Sequence, residues 1–355
     1  MNIIYGVCSW GLGHATRSLP VIRKLLDEHH TLTIIAHDRS LNLLKTELGN
    51  QVTYIDIPDY PMLLSENSRQ FMAKSVVYWP VFIRRIETGL HQLNRILEKN
   101  HIDRIISDAR YDMYSKKIPS YFISHQMRIM NPMRIKMFES AMELFNKFFF
   151  KRFRGMIVPD YETDDLSGDL SHHLRRLDEK KINYVGVLSD FTKQNLKKDI
   201  DYLISLSGPE PQRSMLEKIL IEQSQDLDGS VVMTLGKTDT SFDVTKKQSF
   251  TTYSFVTKEK REELLNRASL VISRSGYSTI MDLAVIGTKA LLIPTPGQIE
   301  QEYLSMYHNK KRTFYSVPQA AIDVQRDNAI AKKTKGITRP CSVQKTVEHI
   351  LRIVS

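Results

Sequence analysis

Four loops in this chain join glycine turns to groups that can move or hold charge. The first is SWGLGHATRS, which follows the apolar run Ile3–Cys8. Gly11 and Gly13 let the backbone turn tightly and approach a ligand. His14 falls in the first turn of the helix that comes next. Free N–H groups and the positive dipole end there disfavour the imidazolium form, which suits a general base. Read as a dinucleotide loop the stretch is weak, because the third glycine is missing and no acid ends the second strand. Its plain alternative is a glycine turn with a capping histidine. Asp108, which ends DRIIS, and His125, which follows YFIS, are further candidates for the base. A strand-end acid is often a cap, and a histidine there often bonds to backbone.

The other loops lie in the second half of the chain. SLSGPEPQRS (Ser205–Ser214) puts Gly208, Pro209 and Glu210 in a rigid turn before a helix, with Arg213 close by as a charge partner for phosphate. Arg274 follows an apolar strand, where a cation is costly without a partner. Ser275 and Gly276 open the next helix and offer N–H groups to a diphosphate. Asp282, about one and a half turns further on, has the acceptor chemistry that two ribose hydroxyls need. Gln298, Glu300 and Gln301 open the helix after the next strand and suit sugar hydroxyls. Taken singly these are ordinary surface groups; their succession on strand ends is the signal.

The elements that would position these loops alternate. Apolar runs at Ile3–Cys8, Leu32–His37, Val52–Ile57, Arg104–Ser107, Tyr121–Ser124, Met156–Val158 and Tyr184–Leu188 are separated by helical patterns such as His14–Glu28 and Val81–Lys99. The pattern restarts at DYLISLSG, with later strands at Val231–Leu235, Thr251–Phe255, Leu270–Ser273 and Ala290–Ile293. Such alternation implies parallel sheets covered by helices on both faces. Two similar α/β domains result, residues 1–190 and 200–340, with Ser189–Asp199 as linker and a helix over 342–355. Ligands of such sheets gather at the carboxyl ends of the strands.

The chain has 355 residues, a net charge of +10 and a pI near 9.3, which favour anionic partners. Two distant cysteines, Cys8 and Cys341, exclude a disulfide framework or a cysteine zinc site. The opening residues lack the charged region and the apolar length of a signal peptide, and no stretch is long enough to span a bilayer. No nucleic-acid-binding motif is present. Asp-x-Asp occurs at Asp199/Asp201 and at Asp226/Asp228; the first enters a strand and the second precedes a glycine turn, so both read as structural.

SRSGYSTIMDLAVIGTKALLIPTPGQIEQEYL resembles the donor-binding segment of GT-B glycosyltransferases, in the family 28 group that includes the lipid II N-acetylglucosaminyltransferase of peptidoglycan synthesis. GVCSWGLGHATRSLPV, IISDARYDMYSKKIPSYFISHQ and SGPEPQR resemble a less characterised bacterial and archaeal branch of that group. The resemblance covers Ile3 to about Tyr307. It implies a GT-B fold, two Rossmann-like domains with parallel sheets facing across a cleft. It also implies an inverting transfer from a UDP-sugar, with no metal and no cofactor. By the same resemblance Gly208 and its neighbours, with Arg274, Ser275 and Gly276, would sit at the diphosphate. Asp282, at a position that is usually Glu, would bind the ribose. Gln298, Glu300 and Gln301 would face the sugar or ribose. Gly11, Gly13 and His14 would face the acceptor. The C-terminal helix would return to the first domain.

Met127–Arg154 carries seven basic residues and two acids, half of the net charge. Phe138, Met142, Phe145, Phe149 and Phe153 recur there at helical spacing. A basic amphipathic helix of this kind suits an anionic membrane surface and a lipid-linked or glycolipid acceptor on its cytoplasmic side. Tyr78-Trp79-Pro80 with Phe82, Arg84 and Arg85 would extend the patch. The alternative is a core-facing helix with a solvated basic face. Two other functions share the features: a UDP-N-acetylglucosamine 2-epimerase-like isomerase, and a non-catalytic nucleotide-sugar-binding protein.

Overall fold

The computed structural model describes all residues except 61–67, 132, 226, 238–242 and 248–249, and only the backbone of 68–77, 179 and 247. The chain forms two compact units: Met1–Asp190 together with Ser342–Ser355, and Phe191–Cys341.

The first unit is built on seven parallel strands: β1 (Asn2–Val7), β2 (Thr31–Ala36), β3 (Thr53–Asp56), β4 (Arg104–Asp108), β5 (Ser120–Ile123), β6 (Gly155–Val158) and β7 (Ile182–Tyr184). Their order is β3-β2-β1-β4-β5-β6-β7. Helices α1 (Leu12–Asp27), α2 (Asp38–Leu48), α3 (Ser68–Lys99) and α4 (Lys136–Phe150) lie between them in the chain. Ile3, Ile4, Tyr5 and Val7 of β1 are fully buried, as helices on both faces of a parallel sheet require. The strand order reverses between β1 and β4, and there the register sets Val7 beside Asp108. The loop after β1 therefore meets the carboxyl end of β4 at the topological switch point, where such sheets bind ligands.

The second unit repeats the plan. Strands β8 (Ile200–Ser205), β9 (Val231–Thr234), β10 (Val244–Lys247), β11 (Phe250–Tyr253), β12 (Ala268–Ser273), β13 (Lys289–Leu292) and β14 (Tyr315–Ser316) run in the order β10-β11-β9-β8-β12-β13-β14. Only the edge strand β10 is antiparallel. Helices α5 (Gln212–Ser224), α6 (Lys258–Arg267), α7 (Tyr277–Ile286), α8 (Ile299–Lys310) and α9 (Val324–Ala331) complete it. The switch point lies between β8 and β12. Ser342 then caps α10 (Val343–Val354), which packs on α1 in the first unit. Arg104 holds its end by donating to the carbonyls of Val354 and Ser355 at 3.0 and 2.6 Å.

Two expectations shift. The seventh strand is Ile182–Tyr184, whereas Val185, Val187 and Leu188 are buried without joining the sheet. The stretch read as a linker is pinned to α6: Thr192 donates to Glu262 and Gln194 N to Asn266 Oδ1 at 2.7 Å, while Phe191 is buried.

Candidate active site

In the first unit the site grows from the loop after β1. Gly11 has φ +113°, a conformation open to glycine, and it is the N-cap of α1. His14 is thus the third residue of the helix. Its Nδ1 lies 2.8 Å from Asp108 Oδ1. Three and four residues on, one turn along the same face, Arg17 and Ser18 meet the same carboxylate. Arg17 donates through Nε to Oδ2 at 2.8 Å and through Nη2 to Oδ1, and Ser18 Oγ donates to Oδ2 at 3.0 Å. Arg17 Nη1 also lies 3.0 Å from His125 Nδ1. Burial alone would raise the carboxyl of Asp108; Arg17 and His14 outweigh it and hold the group well below the usual carboxylate range.

Asp108 is fully buried and His14 keeps 17% of its side chain exposed. The carboxylate can only accept, so Nδ1 carries the proton and the lone pair of Nε2 is left for another group. Nε2 has no partner among the described residues. Burial lowers the basicity of His14, Arg17 lowers it further, and Asp108 partly offsets both. Asp108 is placed to orient the imidazole rather than to take a proton itself. His125 is 6% exposed and sits behind Arg17.

In the second unit the loops after β8, β12 and β13 are neighbours because their strands are. Gly208 has φ +109°, and a Cβ there would sit 3.8 Å from Thr295 Oγ1. Glu210 and Arg213 pair with each other. Arg213 also reaches Glu217 at 3.3 Å and the carbonyl of Leu235 at 2.8 Å, so its charge is matched within the unit. Gly276 caps α7, and a Cβ added there meets nothing within 4 Å. Asp282 is half-buried on α7.

Arg274 is 2% exposed. Its Nη1 donates to the carbonyls of Ile293 and Pro294 at 3.3 and 3.1 Å, and its Nη2 to that of Gln212 at 2.8 Å. The partners required by its burial are therefore carbonyls. Gln301 folds onto its own loop: Oε1 accepts from Thr295 N at 2.9 Å and Nε2 donates to Gln298. Gln298 is the N-cap of α8 and Glu300 lies in its first turn. Glu302, not singled out from sequence, accepts from Gly297 N at 2.9 Å.

The basic segment is rearranged relative to its reading. Phe149 and Phe153 are buried and Phe145 is partly buried, in an aromatic core with Trp79, Phe82 and Tyr111. The phenylalanine stripe is thus mostly core, and Phe138 alone of those phenylalanines is exposed. Both acids of the segment turn inward. Glu143 holds Arg128 (Nε to Oε1, 2.6 Å) and the backbone of Arg175 and Arg176, and Glu139 holds Arg134. The outer face is left with Met133, Met137, Phe138, Leu144 and Phe148, alongside exposed Lys136, Lys151 and Arg154. A cavity of about 410 Å³ beside α4 is lined by Lys147, Lys151 and Lys181 over Phe150, Leu177 and Ile182. None of the described helices is long and apolar enough to cross a membrane.

Acidic groups elsewhere are satisfied by side chains and backbone of their own unit. Asp199 pairs with Arg267, and Asp201 accepts from Ser230 at the amino end of β8, away from the ligand edge. Asp226 lies outside the described residues. Asp160, Asp165 and His172 come within 4.8 Å of one another. The oxygens of Asp160 already take the N–H groups of Tyr161, Leu166 and Ser167.

Residues 1–130 match the family model Glycosyl transferase family 1, and residues 180–314 match the Glycosyltransferase family 28 C-terminal domain. The chain carries the two domains of a GT-B glycosyltransferase. It is 23% identical over 382 residues to an uncharacterised glycosyltransferase of Methanosarcina mazei, covering 98% of this chain and 99% of the relative. A 97-residue stretch, 27% of each chain, is 36% identical to the UDP-N-acetylglucosamine–N-acetylmuramyl-(pentapeptide) pyrophosphoryl-undecaprenol N-acetylglucosamine transferase of Trichormus variabilis. Among solved structures, the glycotransferase of kitacinnamycin shares the fold with a TM-score of 0.65 at 14% identity, over 99% of this chain and 95% of that one.

In this glycosyltransferase the residues that sequence reading missed are Arg17 and Ser18. Helical spacing puts them on the same face as His14, but only the pairing of β4 with β1 brings Asp108 to that face.

Proposed function

We propose that this glycosyltransferase moves a sugar, N-acetylglucosamine or a related hexose, from a UDP-sugar to a lipid-linked or glycolipid acceptor at the cytoplasmic face of the membrane. The reaction inverts the anomeric centre and needs no metal ion. The observation that carries this reading is the contact between His14 Nδ1 and Asp108, which leaves Nε2 as a base beside a glycine loop. The acceptor hydroxyl gives its proton to His14 Nε2 and its oxygen bonds to the anomeric carbon. The bond from that carbon to the diphosphate oxygen breaks, and its electron pair leaves with UDP. The first turn of α7 behind Gly276 supplies N–H groups for the departing charge, Asp282 takes the ribose hydroxyls, and Gln298 and Glu300 face the sugar.

The acceptor class is supported by the outer face of α4. With both acids turned inward, that face is apolar and cationic, the combination that holds a helix on an anionic bilayer. The partial relative named above acts on an undecaprenol-linked substrate, which agrees.

The test is transfer of labelled sugar from UDP-N-acetylglucosamine into a lipid extract, with chelator present, by wild type and by His14→Ala. Labelled lipid from wild type only is the expected result. Conversion of the UDP-sugar without acceptor would point instead to an isomerase. Absence of any binding to UDP would sink the donor assignment.

A further inference from the structure

Ser273, Arg274 and Ser275 are consecutive, and all three side chains donate to backbone carbonyls of neighbouring segments. Ser273 Oγ reaches Ser205 O at the end of β8, and Ser275 Oγ reaches Gln301 O in α8, both at 2.9 Å. Between them Arg274 spans in two directions, to Gln212 at the start of α5 and to Ile293 and Pro294 after β13. No carboxylate pairs with this guanidinium among the described residues, and its Nε is buried without a partner. Both terminal nitrogens already donate to protein carbonyls, and only 2% of the residue is exposed.

We propose that Arg274 is a positioning residue: it ties the loops after β8 and β13 to the loop after β12 through their carbonyls, and it does not itself touch the donor phosphates. The planar fork suits this task, since rigid donors in one plane can meet acceptors on both sides, whereas a lysine is a single point of charge. The location agrees, because β12 lies between β8 and β13 and a residue ending it is flanked by both loops. Burial presses the guanidinium to release its proton, down to about 10, but it stays charged at neutral pH and its bonds to the carbonyls stay charge-assisted. The consequence for binding rests on the nucleotide-sugar reading given above; the clamp itself does not.

The experiment compares wild type with Arg274→Lys and Arg274→Met, the lysine variant guarding against a fold lost in the other. Calorimetry measures uridine and UDP, and hydrogen exchange follows amides 206–215 and 294–301 without ligand. The clamp predicts faster exchange in both loops and a loss of about tenfold or more in affinity, equal for uridine and UDP. A phosphate ligand would instead leave uridine binding and loop exchange unchanged while UDP binding falls, and that result overturns the proposal. If wild type binds neither, the nucleotide-sugar reading fails. Exchange alone then decides: unchanged loops in the variants refute the clamp, and faster loops uphold it.

Discussion

His14 and Asp108 share one short contact but not one environment: Nδ1 and Oδ1 are 2.8 Å apart, the carboxylate is sealed and the imidazole is partly open. The asymmetry gives the two residues different roles. His14→Ala should lower kcat by about 10²–10⁴-fold with UDP affinity retained, as loss of a general base does. The neutral imidazole is the active form. Burial and Arg17 hold its pKa below the ordinary 6.5. Wild-type kcat/KM should therefore stay level on acidification past that value and fall only as pH drops through the lowered pKa. A pH–rate profile checks this; an acidic limb centred above 6.5 would refute the assignment.

Arg17 is the counter-charge of a buried carboxylate, so Arg17→Leu leaves Asp108 with His14 and Ser18 alone. Removing one partner of such a pair costs about 3–5 kcal/mol. The variant should also lose the repulsion that keeps His14 neutral, so the acidic limb of its rate profile should move to higher pH. The depressed carboxyl of Asp108 contributes stability that is present above the usual aspartate range and lost as pH falls through its folded value. Urea midpoints at neutral and acidic pH should hence differ more in wild type than in the variant.

How much of this was legible in sequence depends on which interaction decides each residue. His14 and Asp108 follow from strand ends, because parallel strands gather their carboxyl termini on one edge. Arg17 did not follow, since its role depends on β4 lying beside β1 rather than on any local pattern. Phe145, Phe149 and Phe153 have the spacing of a membrane face, and equally that of a core face; packing against α3 decided for the core. The inward turn of Glu139 and Glu143 depends on Arg134 and Arg128, which reach them from the preceding loop. Val185 to Leu188 show that burial can be read where strand pairing cannot. Arg274 was rightly expected to need partners, but sequence does not say that they are carbonyls.

The outer face of α4 should bind anionic vesicles, and charge placed on it should abolish that. Met137 and Leu144 are 73% and 50% exposed and lie two turns apart on one face. Phe148 is a poorer choice, because the Arg152 guanidinium lies 4.3 Å from its ring centre. Met137→Glu with Leu144→Glu should weaken binding to phosphatidylglycerol vesicles by about tenfold or more. The urea midpoint should stay close to wild type, since exposed substitutions shift stability by about 0.5 kcal/mol or less. Co-sedimentation checks it, and wild type should bind neutral vesicles poorly and lose binding in high salt. Equal binding of both proteins would remove this support for a membrane acceptor.

Gly89 tests the scaffold beneath the site. In an exposed helix, Gly→Ala gains about 1 kcal/mol. Here a Cβ would overlap Asp112 Oδ2 and lie 2.8 Å from its Cγ. The aspartate cannot swing aside cheaply, because it is 1% exposed and takes Arg110 Nε and Nη2 at 3.0 and 2.6 Å. Arg110 in turn donates to Ile57 O at 2.8 Å, which ties the loop after β4 to the end of β3. Gly89→Ala should therefore destabilise by about 2–4 kcal/mol, the cost of disrupting a buried pair less the helix gain. Asp112→Asn should lower stability by itself and shrink the additional effect of Gly89→Ala. Denaturation of the two single variants and the double closes the cycle, and a stabilised Gly89→Ala would show that this contact does not hold.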